Sequence, residues 1–541
     1  MKIASKAILA AAAALLAAFP ATAQNDSTEL FDAGSGAATA AAPAAASPAA
    51  ADSSFELGLA GCHEFGYRLP AYNSESFDYG SVMKDPYFSN ELDLGVQDGD
   101  LKIVSDWRVE LDPLAGGSWE SLTASKPLES YVSWAPEGWK LSAGYQDFSW
   151  GVADRKNPTD NLNPRDYTVG VDPDKIPVLS ADLTWYPMDK LSVEGVFLPV
   201  AQSSAYPVDL VGAAEAGFEA LASMYSAKYA ASYAALGALG YAGIGHQALG
   251  AEDPALEPEN SIGGGKLSYH SAALDASFSY LYDIDPLYTP VVAETENTYD
   301  LGALGSYTVP TGLSVSFERE RIQRFGLDAK TTVGKLGLWT EACYSLTKSS
   351  GASDDYAYRR SKLDYVLGAD FSFGAHDSGY ANLQYFGTWI PGYDDSFYED
   401  LAAGRVADPA VAVERALTES MGLDTEGLLQ GATFDLKYEL ADGAFTPQLT
   451  GVVAVPFEYD EMNAAGQEVR RYCSVALNPE IDIRPADSFH ILIGADLAYA
   501  WCRVGDQAVT TDVSTDKIGV YTPENDVYLK FLYKWNYGLK K

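Results

Sequence analysis

Residues 101–112 read LKIVSDWRVELD. The odd positions are Leu101, Ile103, Ser105, Trp107, Val109 and Leu111, and the even ones include Lys102, Asp106, Arg108, Glu110 and Asp112. In an extended chain successive side chains point to opposite faces, so this pattern describes a strand with one apolar and one charged face. The same period recurs in Val178–Tyr186, Leu363–Phe373, Phe434–Leu440 and Val527–Tyr537. In the last, Val527, Leu529, Phe531, Tyr533, Trp535 and Tyr537 oppose Lys530, Lys534 and Asn536. A water-soluble sandwich also alternates, but it seldom needs strands this long with a fully charged far face. A tilted membrane crossing takes about 9–11 residues per strand and needs this division of faces.

The connections have a rhythm. Tight, Gly-, Asp- or Pro-rich turns fall at Gln97–Asp100, Pro136–Gly138, Met188–Lys190, Ser271–Asp275, Gly334–Lys335, Gly374–Gly379, Ala441–Ala444 and Pro485–Ser488. Long polar stretches alternate with them, at 113–127, 151–176, 202–265, 285–325, 348–361, 392–427, 460–471 and 503–525. Short turns at one end and long loops at the other are the layout of an outer-membrane barrel. Alternating runs from 88–97 to 526–536, with Phe55–Phe65 added for parity, predict eighteen strands, sixteen being the next reading. The fold class is therefore all-β: a transmembrane antiparallel up-and-down β-barrel with short helical insertions in its outer loops and both ends at the short-turn side. Residues 285–325 are long enough to hold a further strand pair.

The chain has 541 residues and a formal charge of −39, with 36 Lys and Arg against 75 Asp and Glu. Such an excess repels phosphate backbones and argues against nucleic acid as a partner. The mean hydropathy of −0.10 excludes a bundle of membrane helices but not a barrel, whose lipid face takes every second residue. Met1, Lys2 and Lys6, the apolar run Ala7–Phe19 and Ala21-Thr22-Ala23 read as a secretory signal peptide over 1–23. An Ala/Pro/Ser-rich linker, expected to be disordered, follows over 24–54, and the barrel occupies 55–541.

No catalytic constellation is legible. The five histidines have no metal-ligand spacing, and no nucleophile elbow or phosphate loop is present, so neither enzyme activity, metal nor cofactor is expected. Alternation instead nominates channel-lining residues: Asp93, Asp106, Arg108, Glu110, Asp182, Glu194, Asp364, Asp370, Asp435, Lys437, Glu439, Asp482, Asp496, Lys530 and Lys534. These side chains either pair across strands or give a wet channel a negative field that favours cations. Asp160, Asn163 and Asp166 are oxygen donors for a partial calcium site. Cys473 and Cys502 flank the turn at Pro485–Ser488 almost symmetrically, and a disulfide between them requires a bulge to bring them to one face. Within 202–265, the Ala-rich 207–245 carries Tyr225, Tyr229 and Tyr233 at helical spacing, fit either to cap the mouth or to fold into the lumen. A second helix is expected over 409–421, capped by Asp408 and closed by Gly422.

The stretch Gly144–Asp154, GYQDFSWGVAD, followed by Asn163-Pro164-Arg165-Asp166, resembles a poorly characterised porin-like outer-membrane barrel family. Its members carry a strand ending in Trp-Gly, an acid shortly after, and Asn-Pro-x-Asp in the next loop. Gly264–Tyr269 and Arg324–Asp328 also resemble it. The layout is similar to that of eighteen-stranded polysaccharide-export and substrate-specific porins, and it fixes no substrate. Two departures are the Ala-rich insertion and an end in Gly-Leu-Lys-Lys after Tyr537, where many such barrels finish on an aromatic. The loop motif is Trp150, Gly151, Asp154, Asn163, Pro164, Arg165 and Asp166. Trp150 is expected to anchor at the outer interface, Gly151 to release the strand, and Asp154, Arg165 and Asp166 to fold toward the mouth and pair with lumen charges.

The functional expectation is an outer-membrane channel passing small hydrophilic solutes, probing size and charge without a covalent step. Its partners are outer-membrane lipid, the solutes and the barrel assembly machinery, with the oligomeric state open. The alternatives are a surface adhesin or structural barrel with a plugged lumen, and a transporter of hydrophobic compounds.

Overall fold

A computed structural model describes residues 55–70, 86–111, 122–166, 173–205, 228–237, 245–251, 254, 257–300, 302, 305–348, 360–393, 397, 400, 403, 405, 409–420, 427–456, 460–462, 468–505, 518 and 525–540. The expected signal peptide and linker, together with Asp408 and Gly422, lie outside the described residues. The wall consists of β1 Phe55–Pro70, β2 Pro86–Asp98, β3 Leu101–Leu111, β4 Leu122–Trp134, β5 Trp139–Gln146 and β6 Val178–Met188. It continues through β7 Leu191–Leu198, β8 Ile262–His270, β9 Asp275–Ile284, β10 Arg321–Val333, β11 Leu336–Leu346 and β12 Lys362–Phe373. It ends with β13 Gly379–Trp389, β14 Leu428–Tyr438, β15 Phe445–Pro456, β16 Glu468–Ala486, β17 Phe489–Val504 and β18 Asp526–Lys540.

Each strand pairs antiparallel with its sequence neighbours, and β1 also pairs with β18, from Glu56 opposite Lys540 to Pro70 opposite Asp526. The barrel therefore closes on eighteen strands, and a three-residue piece, Asp460–Met462, adds to the edge of β16 above the wall. Closure satisfies the main-chain donors and acceptors that an open sheet would leave bare in hydrocarbon.

The apolar parity faces outward. Leu92, Val132, Leu141, Leu183, Leu327, Leu367, Leu383 and Leu436 are exposed on the outer wall. Trp134, Trp139, Trp185, Tyr186, Phe373, Tyr438 and Tyr537 gather near the short turns, and Tyr282, Tyr344, Trp389 and Trp501 near the long loops. Leaving that much apolar area in water would cost about 25 cal/mol per Å². A lipid belt with aromatic rims removes the cost. No helix among the described residues is long and apolar enough to cross a membrane.

Residues 285–325 do not widen the barrel. Thr289–Asp300 and Ser306–Glu318 form a hairpin that Gly245–Ala251 joins in parallel, making a separate three-stranded sheet on the long-loop side. The run Glu294–Asp300, ETENTYD, has no apolar parity to offer lipid, which keeps it out of the wall. Two helices pack on this sheet. In α1, Ala230–Gly237, Tyr233 Oη donates to Pro310 O at 2.9 Å. In α2, Pro409–Ser420, Glu414 Oε1 accepts Val292 N–H at 2.9 Å. The described part of the Ala-rich insertion thus lies against the outer sheet.

Cys473 and Cys502 are not joined by a disulfide in this structure. A register shift does occur there, between Arg471 and Cys473, but it sets Cys473 opposite Trp501 and Cys502 opposite Arg471. Trp501 is exposed on the lipid face while Cys502 is buried, so the two sulfurs remain on opposite sides of the wall.

Candidate functional site

Strand β5 stops at Gln146, earlier than alternation predicts, because the chain turns inward. Residues 147–166 then run inside the lumen, and wall side chains hold them there. Gly151, at φ +102°, starts the turn. A Cβ on it would collide with Asn157 Oδ1 and Thr159 Oγ1 and lie 2.6 Å from Glu341 Oε1, so this position admits only glycine. The next two amides, Val152 N–H and Ala153 N–H, both donate to Glu341 Oε1, the second at 2.5 Å. Glu341 Oε2 accepts from Thr159 N at 3.3 Å and Thr159 Oγ1 at 3.1 Å. Successive amides converging on one anion form a nest, here filled by a carboxylate of the barrel wall.

Further along, Gln384 Oε1 accepts the N–H groups of Arg155 at 3.3 Å and Lys156 at 3.1 Å. Arg155 Nη2 pairs with Asp435 at 3.0 Å, and Asn382 Nδ2 donates to Asp154 at 2.5 Å. Asn161 receives Arg324 Nη1 at 3.4 Å, and Arg324 also holds Asp283 at 3.1 Å. Ala153 packs with inward Trp339, Val366, Phe386 and Val452 and with Ile518 of the last loop. The loop is thus docked by hydrogen bonds at its backbone and by an apolar patch at Ala153.

The loop motif has a structural role that differs in part from the expected one. Trp150 does not anchor at the outer interface: it is 3% exposed, inside the barrel, and its Nε1 donates to Glu194 at 3.1 Å. The inward turn at Gln146 removes it from the wall before it could reach lipid. Asn163 ties the loop to its own base, with Oδ1 accepting Phe148 N–H at 2.7 Å and Nδ2 donating to Gln146 O and Ile176 O at 3.0 Å. Pro164 O accepts Ile176 N–H at 2.8 Å. Arg165 pairs with Asp160 at 3.3 Å, and Asp166 sits opposite Asp174 in a two-residue ladder. The oxygens of Asp160 and Asn163 are thus taken by protein donors, with Lys175 adding a 3.0 Å contact to Asp160, and no group of acids, histidines or cysteines among the described residues fits a metal ion.

The other nominated residues have the inward parity on their strands. Arg108 pairs with Glu91 at 2.7 Å and Asp174 at 2.8 Å. Asp364 accepts Thr388 Oγ1 at 2.5 Å. Asp482 takes Arg484 at 2.7 Å and His490 at 3.1 Å. Asp496 meets Arg68 at 3.3 Å and Asn478 at 2.6 Å. Lys530 is 4.0 Å from Glu64, Lys437 is 3.7 Å from Glu439, and Lys534 shares a rung with Cys62. Asp182 is buried on β6, and Asp370 lies on β12 beneath Gly337. The side chain of Glu110 lies outside the described residues.

Glu194, Glu341, Gln384 and Asp435 hold the loop along the wall from β7 to β14. Charged side chains on the opposite wall stay accessible, with Arg68 36% and Asp496 39% exposed. Asp93 faces Asp106, which faces Glu129, so three carboxylates occupy neighbouring positions on β2, β3 and β4, and Glu129 Oε1 accepts the N–H of the loop's first residue, Asp147, at 2.9 Å. Like charges set directly opposite repel, so such a cluster draws cations or protons to itself.

Solved structures similar to this chain align along most of its length at low identity. OccK5 (OpdH) of Pseudomonas aeruginosa is 11% identical over 90% of this chain and 98% of its own, at a TM-score of 0.40. OccAB4 of Acinetobacter baumannii is 10% identical over 89% and 98%, at 0.43. OpdK of Pseudomonas aeruginosa, crystallised with vanillate, is 8% identical over 89% and 99%, at 0.42. No family model and no curated protein matches the chain. Likeness at this level carries no argument about function, which rests on the geometry of the lumen.

Sequence reading missed Glu341, Gln384 and Asp283, wall residues that grip the loop, and noted Arg324 only within a family-like segment. Glu341 was accessible to it: in LGLWTEACYSL the inward parity runs Gly337, Trp339, Glu341, Cys343 and Ser345. What alternation lacks is any sign that one inward carboxylate binds a loop nearly two hundred positions away.

Asp154 allows a test by pH. Burial pushes its carboxyl above the ordinary range, and Lys330 pulls it part of the way back. A raised folded-state pKa costs stability at pH values above it, and the cost disappears as pH falls through it. Asp154→Asn keeps an acceptor for Asn382 and removes the buried charge. It is expected to match or exceed wild-type thermal stability at neutral pH, with the gap closing on acidification. A wild type clearly more stable than the variant at neutral pH would contradict this.

Proposed function

We propose that the chain is a porin-like channel in the outer membrane of a diderm bacterium, passing small hydrophilic solutes by diffusion and favouring cations. The observation that supports it is a closed barrel whose apolar face is outward and whose charged lumen is narrowed by residues 147–166 without covering Arg68 and Asp496. Size is set by the docked loop and charge preference by carboxylates on the accessible wall, in a low-dielectric surround that strengthens their field. Such a mechanism needs no bond-making step.

Planar-bilayer recording of the refolded protein tests this. Stable current steps with a reversal potential shifted toward potassium are expected in a salt gradient. Complete silence from folded protein would refute conduction and favour the second reading, a surface barrel with a plugged lumen, for which the outer three-stranded sheet supplies a binding platform. Passage of hydrophobic compounds through the side of the barrel finds no support at β9–β14, whose ladders run rung by rung without a gap.

The Arg155–Asp435 pair gives a finer test of charge preference. In Arg155→Ala the Asp435 carboxylate loses its partner and faces the passage. Potassium-over-chloride selectivity is expected to rise, more at 0.1 M salt, where the Debye length is about 10 Å, than at 1 M, where it is about 3 Å. An unchanged reversal potential at both salts would place this pair away from the ion path.

A further inference from the structure

On the outer wall, a trough of about 710 Å³ interrupts the convex apolar belt. It runs across the strands, along the rungs that set Leu338 opposite Ala369 and Ala369 opposite Leu383. Small side chains, Ala329, Ala369 and Ala432, make its floor, and Leu338, Leu367 and Leu383 rise beside them. The polar atoms in it are turned away. Thr331 Oγ1 donates to Ala273 O at 2.6 Å, and Thr340 Oγ1 donates to Val366 O at 3.1 Å. Tyr385 Oη donates to Gln430 at 2.6 Å. Behind the floor, Lys330 Nζ lies 5.4 Å from the ring centre of lumen-facing Trp339. What remains is a surface of methyl and methylene groups with nothing to offer a polar ligand.

We propose that this trough binds one acyl chain of a phospholipid from the periplasmic leaflet. The trough is continuous with the belt that lipid already covers, so its occupant comes from the membrane. A second barrel is convex there and would rest on the leucine ridges without reaching the alanines, whereas a hydrocarbon chain is slim enough to lie on the floor. The leaflet follows from position. The trough ends at Leu274, exposed in the short turn Ser271–Leu274, and the solvent-facing Lys335–Asp377 pair at the neighbouring short turns offers charge to a headgroup. The site rests on the barrel's seat in a membrane and not on conduction, so the two readings fail separately.

The experiment uses the full chain in mild detergent, stripped of lipid, titrated with dioleoylphosphatidylethanolamine and weighed by native mass spectrometry. Wild type is expected to retain one lipid per barrel at detergent levels that remove the rest. Ala369→Phe with Ala432→Phe fills the floor and is expected to lower that retention about tenfold or more, since losing contact with even two methylenes accounts for that factor. Its single-channel conductance should match wild type, which also reports folding. Should the double variant fail to fold, Ala369→Leu makes the smaller change in the same place, with the same direction expected. Equal retention in folded wild type and variant, or no retained lipid on wild type, would overturn the proposal. So would a dimer mass that the variant abolishes, because the occupant would then be a second copy.

Discussion

Glu341→Ala is expected to release residues 147–166 from the barrel wall, raising single-channel conductance and open-channel noise. The carboxylate takes Val152 N–H, Ala153 N–H, Thr159 N–H and the Thr159 hydroxyl, and it is 1% exposed. Hydrogen bonds to a charged acceptor contribute about 1.5–3 kcal/mol each. Water entering the lumen would rehydrate part of what is lost, so a net loss of docking of about 3–4 kcal/mol is the working figure. That shifts the ratio of docked to undocked loop by more than about a hundredfold, since about 1.4 kcal/mol is tenfold. The wall should survive, because its closure rests on strand ladders and none of these bonds belongs to them. Heat-modifiable migration on a gel should therefore stay near wild type while bilayer recordings change. Glu341→Gln keeps one acceptor oxygen but turns an NH₂ group toward the remaining donors, so it should lie between the two. Conductance and noise unchanged in Glu341→Ala would show that the carboxylate does not hold the loop.

Gly151→Val should give the same phenotype by a different route. Its φ of +102° lies where a β-branched residue is strained, and an added Cβ would meet Asn157, Thr159 and the Glu341 carboxylate. The expected cost is about 3 kcal/mol or more, from backbone strain of about 1–3 kcal/mol plus the collision. Because both substitutions break the same nest, their effects should not add: the double variant should conduct like either single one. Additive increases in conductance would mean that Gly151 and Glu341 act on separate parts of the passage.

These two residues divide what is legible in a sequence from what is not. Gly151 could be noticed as half of a Trp-Gly pair, yet its neighbour Trp150 was assigned to the lipid interface and lies inside the barrel. Alternation reports only which face of a strand a residue takes, and Trp150 is past the end of its strand. The Cys473–Cys502 pairing shows the same limit: the required bulge exists, but its register leaves the sulfurs on opposite faces.

The wall was legible in the sequence. Its two-residue period, the alternation of short and long connections and the parity of the ends were enough for eighteen strands, because each strand meets lipid on one side and that local demand is written every second residue. The same period placed some of the −39 charge on the inward face. Only the folded chain shows what stands inside: that 147–166 folds in, that Glu341, Gln384 and Asp435 hold it, and that Arg68 and Asp496 stay accessible. Those contacts join residues far apart in the chain through hydrogen bonds and fit, and such pairings leave no period in the sequence.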